Sequence, residues 1–298
     1  MDERDGDETL AGGVIRTVIA IVTLVIFLGA VGYSYGQDLT QFGLGLLNQA
    51  RSVGAAPVAG SRYFDVKNNS DASQAQVDGV VHTLEADYEG LNVVLKRTRQ
   101  DKIPVLIANG SGPAVADGQT LAVNYDNGIL DLDTAPLFLA LLMDGDDVKM
   151  VNSSNLLPAL GFAGYVTEEA GLAESFFRQP ADAWVTLLRQ SKAYLPLAEA
   201  WKAKFPQDAD TLDIFLRSVL ESSSFMHWFV DNYGMDAAHS LVQSGDIAKA
   251  APLTLDEAET KWLAALVEKQ VEPKSCQMAV PRGNFLGIIC EKINESSR

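Results

Sequence analysis

The run from Thr17 to Gly36, TVIAIVTLVIFLGAVGYSYG, carries no charged residue, and this constrains the chain more than any other feature. A helix needs about 20 apolar residues to cross the hydrocarbon core of a bilayer. A continuous apolar run reads as a span rather than as the one-sided pattern of an amphipathic core helix. Tyr33 and Tyr35 suit the interface at its end. Ala30 and Gly32 are small enough for a cleavage site, but the acidic tail ahead of the run, residues 1–16, is unlike a signal peptide, which begins basic and has a shorter apolar core. The expectation is an uncleaved signal-anchor with Thr17 and Tyr35 near its two ends. Arg4 and Arg16 precede the span, and the next basic residue is Arg51. That asymmetry directs the tail to the cytoplasm and the rest of the chain outside it, to the periplasm if the host is bacterial.

Roughly 260 residues remain after the span, enough for one large or two small domains. The formal net charge of −16 works against nucleic acid and anionic lipid surfaces, and no basic stripe offsets it, so no nucleic-acid partner is expected. The two cysteines, Cys276 and Cys290, read either as one disulfide in an oxidising compartment or as two separate buried thiols. Asn68, Asn109, Asn152 and Asn294 begin N-x-S/T matches, which matter only in a host that glycosylates.

The periodicity predicts an α+β chain. After the single N-terminal transmembrane helix, residues 37–60 form an amphipathic helix (Leu39, Phe42, Leu46, Leu47) and the linker GAAPVAG. A small mixed strand/helix subdomain follows over 61–133. It contains a strand in RYFDVKN, a helix over 72–98, a buried strand in KIPVLIANG and a hairpin in QTLAVNYDNGILDLD turning at Asn127-Gly128. A mainly helical subdomain covers 134–270. Its helices are expected at 136–143, 158–174, 181–190, 193–204, 209–232, 235–243 and 254–270, the last opened by a Thr254/Glu257 capping box. Residues 271–298 read as a C-terminal tail.

Two segments carry a resemblance. LPALGFAGYVTEEAG, residues 157–171, is similar to the P-x-W-L-x-E-G-L-A-x-Y-V stretch of the gluzincin zinc metallopeptidases, peptidase-MA-like branch, with Gly161, Phe162, Ala163, Tyr165 and Val166 matching in kind. LESSSFMHWFVDNYG, residues 220–234, resembles that family's helix closing in Asp-x-Tyr-Gly, here Tyr233 and Gly234. The order of elements over Arg62–Gln243 agrees with the same family. What the resemblance implies is a gluzincin-like helical subdomain with its chemistry removed. Such enzymes hold zinc through two histidines one helical turn apart in HExxH and a downstream Glu. Here the matching helix reads PLFLALLM, which puts Leu137 and Leu141 on one helical face, and Leu160 stands at the third-ligand position. Aliphatic side chains neither bind zinc nor activate water, so neither metal nor other cofactor is expected. Leu137–Leu142 and Leu160 are expected to form a dry contact instead.

Other candidate sites are weaker. His82, His227 and His239 do not pair at i, i+4. Asp126, Asp131, Asp133, Asp144, Asp146 and Asp147 lack EF-hand order and read as solvated turns. Ser222–Ser224 precede His227 without a G-x-S-x-G elbow. GSGPAVADG, residues 110–118, lacks the Lys and Ser/Thr of a phosphate loop and reads as a flexible loop. The expected function is therefore a non-catalytic, membrane-anchored extracytoplasmic pseudoenzyme that serves as a structural or protein-binding subunit of a membrane complex. Lipid would be contacted through the one helix. The alternatives are a hydrolase with non-zinc chemistry and a module binding cell-wall glycan or peptide.

Overall fold

In the computed structural model the described residues are 57–58, 60–110, 114–144, 155–172, 178–204, 209–271, 273 and 285–296. The expected anchor, with Thr17 and Tyr35, and the amphipathic segment after it lie outside them. Among the described residues no helix is long and apolar enough to cross a membrane.

Alternating side chains make β2 (Phe64–Asn69) a strand with Phe64 and Val66 turned into the core. Helix α1 (Gln74–Leu95) follows, started by a complete Ser73/Gln76 capping box and closed at Lys96, whose φ of 53° ends the helical path. Its buried stripe is Val77, Val80, Leu84, Tyr88, Leu91 and Leu95, the 3.6-residue period that the sequence displays. β3 (Ile103–Asn109) and β5 (Thr120–Asp126) extend the sheet in parallel, setting Val66 opposite Val105 and Ile107 opposite Val123. β1 (Pro57–Val58), β4 (Val115–Asp117) and β6 (Ile129–Leu130) add antiparallel edges, in the order β1-β2-β3-β5-β4 with β6 also beside β5. The Asn127-Gly128 turn joins β5 to β6 with both residues at positive φ, 49° and 91°, as the hairpin signal requires. The stretch read as a flexible loop contains β4; its alternation is too short to register as a strand.

The helical part begins with α2 (Ala135–Asp144) and α3 (Leu156–Glu169), which pack on each other. Next come α4 (Ala181–Gln190), the single turn α5 (Leu197–Ala200) and the long α6 (Ala209–Ser244), interrupted at Gly234 with φ 83°. Then come α7 (Ile247–Ala250), α8 (Leu255–Lys269) with the expected Thr254/Glu257 box, and α9 (Phe285–Ser296). Helix α6 is the spine. It packs most extensively on α3, and also touches α4, α5, α7, α8 and α9. Two expectations are corrected. The helix foreseen at 193–204 shrinks to one turn, because Pro196 has no N–H and starts α5 rather than continuing an earlier helix. The segment read as a tail ends in α9, which buries Ile289, Cys290 and Ile293 and packs on α6. One hydrophobic cluster runs from Phe64 on the sheet to Trp262 on α8 and Ile293 on α9, across the boundary drawn at 133/134.

Candidate functional site

Nine residues of α2, Ala135 to Met143, are buried. Leu137 and Leu141 at 3 % exposure and Leu160 at 1 % belong to the same core cluster, in two helices packed together. The positions that the resemblance assigns to zinc ligands are thus interior aliphatics. Each buried Leu contributes about 1.5–3 kcal/mol by area. Among the described residues no three His, Cys, Asp or Glu side chains converge to hold a metal ion.

Gly161 and Tyr165 lie at the α3–α6 crossing. A Cβ added to Gly161 would lie 2.5 Å from the carbonyl oxygen of Ser222, so only glycine permits this approach of the two backbones. Ala163 is also buried. Tyr165 meets the His227 ring edge-on, with centroids 4.8 Å apart. Burial, reinforced by Glu169 and Asp231, pushes its phenol pKa up. Tyr233 stacks obliquely on Phe229 at 5.0 Å, one residue before the break at Gly234.

The Ser-His pairing is not made. Ser223 donates to Val219 O (2.7 Å) and Ser224 to Asp182 (2.5 Å). Ser222–Ser224 are at most 1 % exposed, too deep for a substrate to reach. His227 lies between two carboxylates instead, Nε2 at 3.4 Å from Glu168 and Nδ1 at 3.7 Å from Glu169. His239 pairs with Asp144 at 3.2 Å, and His82 is exposed. Of the acidic candidates, Asp131 accepts from Asp133 N, Asp126 from Asn127, and Asp133 pairs with Arg178. Asp146 and Asp147 lie outside the described residues. Asn68 and Asn109 spend their amide nitrogens on Ala72 O and Asp71, which makes these sequons structural corners of the β-sheet rim. Cys290 is disulfide-bonded. Cys276, the chain's other cysteine, lies outside the described residues.

Two buried polar networks went unread in the sequence. In the first, Asp182 at the start of α4 accepts from Ser224 and from Lys269 Nζ (2.9 Å), while the Trp262 indole donates to Ser224 (3.1 Å), tying α4, α6 and α8 together. Burial disfavours the Lys269 charge, but the bond to Asp182 outweighs it and raises its pKa. In the second, Asp213, Arg217 and Glu221 follow one another at i, i+4, i+8 on α6. Arg217 forks onto Asp213 (2.5 and 3.1 Å) and donates to Ala193 O (2.6 Å). Glu221 accepts from Leu195 N (2.9 Å). Glu259 of α8 accepts from Leu197 N (3.1 Å) and from the Tyr194 hydroxyl. Three charged residues at four-residue spacing, Asp213, Arg217 and Glu221, were the available signal.

No family model matches this sequence, and neither a curated protein nor a solved structure is detectably similar to it.

Proposed function

We propose that this chain is a membrane-anchored, extracytoplasmic, non-catalytic relative of the gluzincin peptidases that acts as a structural or protein-binding subunit of a membrane complex. The observation that carries the reading is the burial of Leu137, Leu141 and Leu160 in two packed helices, at the positions the sequence resemblance assigns to zinc ligands. A site filled with interior aliphatics contributes packing rather than chemistry. The buried serines beside His227 remove the motivation for a serine hydrolase. The uncharged run 17–36 supports the anchor, and its basic flank supports the orientation. Fold-level analogy alone never proves function, so the proposal stands on its test.

The test is purification of the tagged full-length protein in mild detergent after in-cell crosslinking, beside two exchange versions. One keeps the soluble domain and replaces residues 17–36 with an unrelated span; the other keeps residues 1–60 and replaces the domain. A stoichiometric partner retained by the first version and lost from the second is the expected result. A monodisperse chain that crosslinks to nothing would sink the proposal, as would a partner that follows the anchor alone.

A further inference from the structure

Two glutamates from different helices converge on the short segment that carries α5. Glu221 reaches up from α6 to Leu195 N, and Glu259 reaches across from α8 to Leu197 N and the Tyr194 hydroxyl. Both peptide N–H groups flank Pro196, which has none of its own to contribute. Glu221 is fully buried, and among the described residues no group hydrogen-bonds to its second oxygen, Oε2. The charges around it do not balance. Arg217 is the one cation facing it from α6, and three of its five N–H donors go to Asp213 and Ala193 O. Asp213 therefore pairs with Arg217, Glu259 adds a second carboxyl, and Glu221 is a third with no cation of its own among the described residues. Tyr194 faces the same cluster from the segment, with Arg189 of α4 behind it, while Lys192 and Glu199 are exposed.

We propose that Glu221 is a proton-operated latch: as a neutral acid it holds the Tyr194–Trp201 segment against α6, and on losing its proton it releases that segment. A buried carboxylate without a counter-charge is far more costly than the neutral acid. An unpaired oxygen in the interior is tolerable while the group is uncharged. Ionisation must then draw in water or open the cover, and the cover is one helical turn held by three side-chain hydrogen bonds and the packing of Leu197 and Ala200. Burial, first, and then the neighbouring Glu259 and Asp213 hold the Glu221 carboxyl well above its ordinary range; Leu195 N–H and Arg217 only partly offset them. Nearby Tyr194 is pushed up in the same direction by burial and by its bond to Glu259, so it stays a donor throughout. The latch is closed at the acidic end and opens as pH rises well past the range of an ordinary carboxyl.

Amide hydrogen exchange of the full-length protein in mild detergent reads this directly. After correction for the intrinsic pH dependence of exchange, protection at Leu195 and Leu197 should fall about tenfold or more between pH 6 and pH 9 in the native protein, the change that one pKa unit of linkage produces. In Glu221→Gln, which keeps an acceptor for Leu195 N–H and cannot ionise, protection should stay level. Equal pH dependence in the two proteins overturns the latch. A second measurement needs no variant: infrared spectra of the native protein should retain a carboxylic-acid carbonyl band at pH values where ordinary carboxyls are ionised, fading as protection is lost. A native protein with no such band overturns the proposal equally.

Discussion

At the scale of single residues, the tightest site among the described glycines is Gly161 at the α3–α6 crossing, and it tests the packing argument without removing any polar group. A methyl group on Gly161 would sit 2.5 Å from Ser222 O and 2.7 Å from the same carbonyl carbon. The obstacle is helix backbone, which cannot rotate away as a side-chain tip can. Gly161→Ala should therefore force α3 and α6 apart and lose about 1–3 kcal/mol, the range for overpacking a filled core. Gly79 is the control. It lies exposed in α1 with nothing within 4 Å of a built Cβ. Gly79→Ala should gain about 0.5–1 kcal/mol by removing backbone freedom from the unfolded chain. Urea unfolding of the two variants should move the midpoint in opposite directions; a Gly161→Ala midpoint at or above that of the native protein would show that the crossing has slack.

Among the elements, α2 poses the sharpest question, since a helix of aliphatics offers nothing of its own to satisfy its last carbonyls. The answer comes from the loop after α1. Arg99 donates to Leu142 O at 2.6 Å, and Arg97 donates to Asp144 O at 3.2 Å and to its side chain at 3.1 Å, where His239 also docks. Cations at a helix C-terminus also complement its dipole. Arg99 is half-buried, so Arg99→Met, which keeps the stem and removes the donors, should cost about 1–3 kcal/mol. Arg97 is exposed, and Arg97→Met should cost well under that. Thermal unfolding of the pair separates the two; equal losses would deny Arg99 its special place.

Such long-range caps explain what the sequence left unread. Helix α1, the β5–β6 turn and the Thr254 box are local patterns, and the periodicity of Val77 to Leu95 or the Asn127-Gly128 pair announces them. The aliphatic filling of Leu137, Leu141 and Leu160 was legible as well, because burial follows from composition. Strand β4 is three residues long and exists by pairing with β5. Helix α9 exists by docking on α6. The Glu221–Leu195 and Arg99–Leu142 bonds join residues 26 and 43 positions apart. Nothing in a local window encodes those partners.

At the scale of the whole molecule, stability should run against the usual acid-denaturation pattern. Most proteins gain stability as carboxyls ionise, because their native carboxylates are paired or hydrogen-bonded. Here burial pushes Asp87 up to about 6 from an ordinary 3.8, and Glu221 is raised well above 4.5. An acid whose folded pKa exceeds its unfolded one holds more protons folded than unfolded. Its contribution is complete below the unfolded pKa and is lost as pH rises through the folded one. For Asp87 that window is roughly pH 4 to 6. The net charge of −16 adds general repulsion with the same sign, since it too grows with pH. Salt distinguishes them: self-repulsion between surface charges is screened, whereas desolvation of a buried carboxyl is not. Asp87→Asn should therefore match the native protein most closely near pH 4 and become progressively more stable than it toward pH 7, with the gap surviving added salt. Denaturant titrations at pH 4, 5, 6 and 7, at low and high salt, measure this. A gap that is constant with pH would assign the effect of the substitution to packing, and one that closes in salt would assign it to surface charge.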